Sequence, residues 1–225
     1  MPSPPIRPHW SATLRDFLTL MPRERIKRST LTGCPEGDGS AVLVLPGILR
    51  SDDQTVAFRE ALGTLGYKPF GWELGLNVGP TRGLMEGVTQ RLTVLAAAHG
   101  GVRLVGFSMG GLFARWLAHR RTAQVRQVVT VACPFRDPLN AAWIPLRPLQ
   151  FLWPEIDVGA LTYMIRQPPP VPWGALYSKR DGIVAWQSCT DPDAPDQCLE
   201  VACRHKPAAR EAEVFRGVAR FLGEV

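Results

Sequence analysis

Val102-Arg103-Leu104-Val105-Gly106-Phe107-Ser108-Met109-Gly110-Gly111 is the stretch that decides the fold. Val102 to Phe107 is a mostly apolar run of the kind that makes a strand buried on both faces. It passes directly into Gly-x-Ser-x-Gly, and Leu112 to His119 then reads as a helix. Strand, sharp turn and helix in that order form the context in which a serine hydroxyl is thrust out of a sheet as a nucleophile. Gly106 and Gly110 are expected to be small because the helix passes close to the neighbouring strands. The N–H of Met109, at the helix start, is expected to aim at the point where negative charge develops. Alone, the pentapeptide is only a glycine-rich turn; its flanks favour the chemical reading.

Around this stretch the chain alternates strand and helix. Ala41 to Leu45 is a continuous apolar strand stopped by Pro46-Gly47. Asp52 or Asp53 is expected to cap a helix running through Phe58 and Leu62 to Leu65, ended by Gly66. Tyr67 to Trp72 reads as a strand, and Gly83 to His99 as a helix with Leu84, Val88, Leu92 and Leu95 on one stripe. Strands follow at Gln127 to Cys133, Gly174 to Ser178 and Leu199 to Ala202. A closing helix spans Ala208 to Leu222, with Val214, Phe215, Val218 and Leu222 inward. Such alternation predicts an α/β fold: a mostly parallel sheet with helices on both faces.

Two regions stand outside the alternation. Residues 134–172 hold nine prolines and an apolar cluster of Trp143, Ile144, Leu146, Leu149, Phe151, Leu152 and Trp153. This is too long for an ordinary connection, and it is read as a lid-like insertion over an apolar substrate or as an excursion packed on the core. Residues 1–40 are read as an N-terminal basic arm ahead of a domain spanning 41–225. Trp10, Leu14, Phe17, Leu18 and Met21 recur at helical spacing, and Ser29 to Ser40 reads as loop. Residues 1–30 carry Arg7, Arg15, Arg23, Arg25, Lys27 and Arg28 against Asp16 and Glu24, most of the chain's net charge of +6. A basic leader of this kind suits an anionic membrane or nucleic acid. With no nucleic-acid motif beside it, a solvated arm is the preferred reading, and peripheral membrane contact is not expected.

At 225 residues with 45% hydrophobic content, one substantial core is expected. No apolar run approaches the ~18 residues of a membrane span. The proline-rich start lacks the apolar core of a signal peptide, which makes the cytoplasm the expected location. Five scattered cysteines do not form a secreted disulfide framework.

A serine nucleophile needs a base, and the base needs a carboxylate. In the strand–turn–helix setting the chain order is serine, acid, histidine. His9 and His99 precede the serine, and His119 ends the helix that starts at the turn, which leaves His205. Asp181, in the turn after the strand ending at Ser178, is the preferred acid. Asp137 is the runner-up; Asp157 lies in the insertion, and Asp191, Asp193 and Asp196 lie in a surface loop. A second oxyanion donor belongs on the loop after strand 41–45: Ile48 first, Leu49 next, and never Pro46, which has no N–H.

With Ser108, Asp181 and His205 in this order, the chain resembles the α/β-hydrolase superfamily. More narrowly, Leu45-Pro46-Gly47-Ile48-Leu49, Gly71-Trp72-Glu73-Leu74-Gly75-Leu76-Asn77-Val78-Gly79-Pro80-Thr81, the Gly106–Gly110 turn and Tyr177-Ser178-Lys179-Arg180-Asp181-Gly182 resemble small bacterial lipase/esterase-like serine hydrolases. The resemblance begins at residue 41 and runs to the end. His205-Lys206-Pro207-Ala208 departs from the His-x-Gly-Leu common in that group, and the strands before residue 41 are reduced. The resemblance implies cleavage of a small-molecule carboxylic ester through an acyl-enzyme, without cofactor or metal. Alternatives are a thioesterase, or a catalytically silent binding protein on the same fold. A zinc site from Cys189, Cys198, Cys203 and His205 is a third reading, with a spacing that matches no common zinc pattern.

Overall fold

A computed structural model describes residues 8, 10–18, 26–142 and 147–224. The predicted stripe position Met21, Trp143, Ile144 and Leu146 of the insertion, and Arg7, His9, Arg23, Glu24 and Arg25 lie outside the described residues.

Among the described residues six strands form one sheet: β1 (Ala41–Leu45), β2 (Lys68–Gly71), β3 (Val102–Phe107), β4 (Val125–Val131), β5 (Trp173–Tyr177) and β6 (Cys198–Glu200). Their order is β2-β1-β3-β4-β5-β6, and every neighbouring pair is parallel. β1 and β3, predicted as continuous apolar runs, are buried along their whole length. Alternate residues of β1 feed two cores. Val42 and Val44 pack with Phe58 and Leu62 of α3 (Val56–Leu65) and with Val214, Phe215 and Val218 of α7 (Ala212–Gly223). Ala41, Leu43 and Leu45 pack with Val88 and Leu92 of α4 (Arg82–His99) and with Leu112, Phe113 and Leu117 of α5 (Met109–Arg120). Helices therefore cover both faces of the sheet. The chain leaves β1 for β2 on one side and returns to β3 on the other, which opens a crevice at the carboxyl ends of β1 and β3.

Several local expectations shift. Residues 29–31, at the start of the stretch read as loop, belong to the short helix α2 (Arg28–Leu31). Arg216 of α7 donates to the carbonyls of Ser29 and Thr30 there, a long-range partner that no local pattern reveals. Asp52 does not cap α3; a 3-10 turn, Asp52–Gln54, precedes it. The Asp52 carboxylate instead accepts from the N–H of Trp72 (3.0 Å) and Glu73 (2.8 Å), fastening the end of β2. The closing helix is broken at Glu211, with a 3-10 turn, Ala208–Arg210, ahead of α7. In α1 (Trp10–Leu18) the buried side chains include Thr13 and Asp16, whereas Leu14 of the predicted stripe is 52% exposed. The leader is therefore not simply solvated.

The described part of 134–172 holds a 3-10 segment, Arg147–Leu152, and α6 (Val158–Arg166). α6 packs against α5. Buried Arg115 of α5 donates to the carbonyls of Ile165 (2.7 Å) and Gln167 (2.8 Å) at its end, its guanidinium lying 4.0 Å from the Phe135 ring centroid. No helix among the described residues is long and apolar enough to cross a membrane.

A polar knot fastens the amino-terminal ends of β3 and β4. Arg103 donates to Ser40 Oγ, Gln127 Oε1, the Leu222 carbonyl and Asp38 Oδ2 (2.8 Å). Burial tends to raise the Asp38 pKa, but hydrogen bonds from Ser40 and Arg103 and the Arg103 charge outweigh it and bring it to about 2. A depressed carboxylate contributes stability that is complete above its unfolded pKa of about 4 and is lost as pH falls through the folded value. Acid unfolding of the parent should therefore carry an Asp38-dependent part between about pH 4 and pH 2. Melting temperatures across that range should fall less steeply in Asp38→Asn, from a lower neutral-pH start.

Candidate active site

The turn between β3 and α5 is built by close backbone approach. A Cβ on Gly106 would run into the Gly110 carbonyl and the Gly111 Cα; one on Gly110 would run into the carbonyls of Leu45 and Pro46. The sequence meets both demands with glycine, and α5 starts directly over the end of β1. Ser108, between the glycines, takes φ +50° and ψ −117°. Leu49 and Ala132 also have positive φ, and all three line one cavity of about 520 Å³. Such conformations cost about 1–3 kcal/mol each in non-glycine residues and gather where the surroundings enforce them.

The loop after β1 is held by Asn77, from the Gly71–Thr81 stretch. Asn77 is fully buried. Its Nδ2 donates to the Pro46 carbonyl (2.8 Å) and its Oδ1 accepts from Gly79 N–H (3.0 Å). Its backbone carbonyl accepts from Leu49 N–H (2.7 Å), and its N–H donates to Arg50 O (2.9 Å). These bonds use up the Leu49 N–H. The N–H groups of Ile48 and Met109 have no acceptor among the described residues, and both residues line the cavity beside Ser108. The same stretch docks the insertion: Trp153 Nε1 donates to the Val78 carbonyl (3.1 Å), and its ring lies against Gly79.

Asp181 and His205 meet across 24 residues of chain. His205 Nδ1 lies 2.7 Å from Asp181 Oδ2; a carboxylate only accepts, so Nδ1 carries the proton and Nε2 keeps its lone pair. The other carboxylate oxygen, Oδ1, accepts from the N–H groups of Ile183 (2.8 Å) and Val184 (2.9 Å). Ser178 joins the two loops, its Oγ donating to the Cys203 carbonyl (2.6 Å) and accepting from Arg180 N–H (3.1 Å). His205 lines the cavity with Ser108. Among the described residues no hydrogen bond joins the hydroxyl to the imidazole, a contact that in enzymes without substrate is often long and tightens on binding.

The competing assignments find other partners. Asp137 accepts from Asn140 Nδ2, Asp157 caps α6 through Ala160 N–H, and Asp191 accepts from Asp193 N–H. His119 lies 3.3 Å from the Gln167 carbonyl, and the His99 ring lies against Phe70. The five cysteines are unpaired, and among the described residues no cluster of three or more His, Cys, Asp or Glu is arranged to hold a metal.

One participant was missed in the sequence. Asp16 of α1 is fully buried, and its Oδ2 accepts from Gly182 N–H (2.7 Å) and His205 N–H (3.4 Å) while Oδ1 accepts from Lys206 N–H (3.3 Å). A residue from the leader thus fastens the loop of Asp181 to the loop of His205. Its only local signal was an acidic residue in a basic leader. Burial by itself lowers the His205 pKa, but the charge and hydrogen bond of Asp181 and the charge of Asp16 outweigh it and the nearby Arg50, so the imidazole is raised above its ordinary value.

Solved structures match this arrangement over most of the chain. No protein-family model and no curated protein matches the sequence. A structure from the metagenome-derived lipolytic enzymes LipS and LipT is 14% identical, covers 85% of this chain and 96% of its own, and has a TM-score of 0.64. The chain has the α/β-hydrolase fold. The Pyrococcus furiosus esterase Pf2001 is similar at 14% identity, 84% of each chain and a TM-score of 0.56. Carboxylesterase CesB (YbfK) from Bacillus subtilis is similar at 12% identity, 96% of each chain and a TM-score of 0.55. In this α/β-hydrolase fold the parallel sheet, the helices on both its faces and the strand–turn–helix follow the arrangement expected from the sequence.

If Asp16 acts on the imidazole through its charge, His205 in Asp16→Asn should titrate at lower pH than in the parent, followed by NMR of the imidazole ring. An unchanged titration with a lowered melting temperature would assign Asp16 to loop packing alone.

Proposed function

We propose that the protein is a serine hydrolase that cleaves carboxylic esters through an acyl-enzyme, with Ser108 as nucleophile, His205 as base and Asp181 as its carboxylate partner. The observation that carries this reading is the Asp181–His205 bond, in the same cavity as a serine held at positive φ. The esterase and lipolytic neighbours support it at the level of the fold.

His205 Nε2, left with its lone pair, takes the proton of Ser108 as Oγ attacks the ester carbonyl. The N–H groups of Ile48 and Met109 receive the oxyanion, and they do so without giving up an existing bond. The imidazolium then protonates the departing alcohol, and water repeats the sequence on the acyl group. Asp181 fixes the imidazole tautomer and offsets the charge that forms on it. A cavity walled by Pro134, Pro138, Ala142, Ile183 and Val184 suits an apolar acyl or alcohol group. Pro134, Pro138 and Ala142 of the insertion form the cover on that side. Five unpaired thiols suit the reducing cytoplasm.

Hydrolysis of p-nitrophenyl esters of rising chain length tests the reading. Ser108→Ala should lower kcat by ~10⁴-fold or more, and a fluorophosphonate should label the parent at Ser108. An unchanged rate would remove Ser108 as nucleophile, and a parent that is neither active nor labelled would favour a silent binding protein. Because the base must be neutral and its pKa is raised, kcat/KM should climb with pH through a value above the ordinary imidazole 6.5. A limb at or below that value would contradict the assigned pair.

A further inference from the structure

The cavity at Ser108 has two chemically different sides. The insertion and the Asp181 loop supply the apolar wall. The other side is basic: Arg50 follows the Pro46–Leu49 loop, and Arg210 ends the 3-10 turn that packs on α3. Both guanidinium-bearing residues line the cavity and are partly buried. Lys206, next to His205, lines it too. No Asp or Glu is among the described residues of the lining.

Elsewhere, several buried or half-buried arginines are matched by acceptors. Arg103 meets Asp38, Arg91 meets Glu73 and Arg115 meets two carbonyls. The guanidinium groups of Arg50 and Arg210 make no hydrogen bond or ion pair among the described residues. Partly desolvated cations without acceptors are costly unless a ligand supplies the missing charge.

We propose that Arg50 and Arg210 form an anion subsite within the cavity, and that the natural ester carries a carboxylate or phosphate group as well as an apolar one. The proposal rests on the reading of the cavity as an ester hydrolase site and specifies its substrate class. A planar guanidinium matches either anion with paired N–H donors. Burial, and then the like charge of Arg210, hold the Arg50 pKa below its ordinary value, an unfavourable term that a bound anion relieves.

Two matched pairs of esters test the subsite and separate the sources of charge. Ethyl hydrogen adipate against ethyl hexanoate places a carboxylate on the acyl side. A 1-acylglycerol 3-phosphate against the same 1-acylglycerol places a phosphate on the alcohol side. In at least one pair the anionic ester should have a kcat/KM about tenfold or more above its neutral partner, as expected for hydrogen bonds to a charged group. That ratio should shrink as salt rises. It should fall towards one in Arg50→Gln with Arg210→Gln, and invert in Arg210→Glu. The ratio is internal to each variant, so a partial loss of folded protein does not disturb it. Turnover of both members of each pair at rates within about twofold overturns the subsite and leaves the hydrolase reading intact. A preference that survives in the double glutamine variant also overturns it. Absence of turnover on all four esters, with no fluorophosphonate labelling of Ser108, overturns the hydrolase reading and the subsite with it.

Discussion

The contact between Gly110 and the carbonyls of Leu45 and Pro46 is the constraint on which the site depends. It brings the start of α5 onto the end of β1 with no side chain between them. The two N–H groups left without acceptors, on Met109 and Ile48, flank the serine because their segments meet there. Any Cβ at position 110 would push against backbone, which has no rotamer to yield. Overpacking in a core costs about 1–3 kcal/mol when side chains repack; here the cost would fall on the geometry of the serine itself.

Around that contact, irregular loops are held by buried polar side chains bonded to backbone. Asn77 holds the loop after β1, Asp52 the end of β2, Asp181 the turn after β5, and Asp16 the loops on either side of the imidazole. Loops at the carboxyl ends of parallel strands leave the hydrogen-bond ladder and must satisfy their donors elsewhere. A short carboxylate or amide does this while fixing the loop in one shape. The positive φ values at Leu49, Ser108 and Ala132 persist inside this scaffold. A site strained in this way is held ready by its surroundings rather than assembled on binding.

What was legible in the sequence follows from the same physics. β1 and β3 were read to the residue because strands buried on both faces are near-continuous apolar runs, interrupted in β3 only by Arg103 and Gly106. Asp181 and His205 emerged from chain order and from the scarcity of histidine, and the structure brings them together. The Gly71–Thr81 stretch stood out by its residues, but its hold on the loop after β1 through Asn77 spans 31 residues of chain and has no local signal. The helix α2 and the role of Asp52 were hidden, since each depends on a partner 20 or more residues away. Ile48 is placed ahead of Leu49 by position alone; the structure ties the Leu49 N–H to the Asn77 carbonyl and leaves the Ile48 N–H without an acceptor among the described residues.

Asp16 was hidden for a deeper reason. With few strands ahead of β1, the leader looks dispensable when residues are weighed by composition, and its positive charge draws attention to surfaces. Yet the leader reaches the far side of the molecule in several places. Asp16 bonds Gly182, His205 and Lys206, Arg216 bonds Ser29 and Thr30, and Asp38 shares Arg103 with the Leu222 carbonyl. Each of these joins residues from before β1 to residues at or beyond β3, so the two ends of the chain close on each other around the sheet. The turn after His205 is short and begins Lys206-Pro207, which leaves one fewer N–H to anchor it from within. A buried acceptor from outside the turn supplies that anchor. The leader and the departure at His205-Lys206-Pro207-Ala208 are thus two halves of one arrangement, in which a helix ahead of the sheet anchors the loop that carries His205.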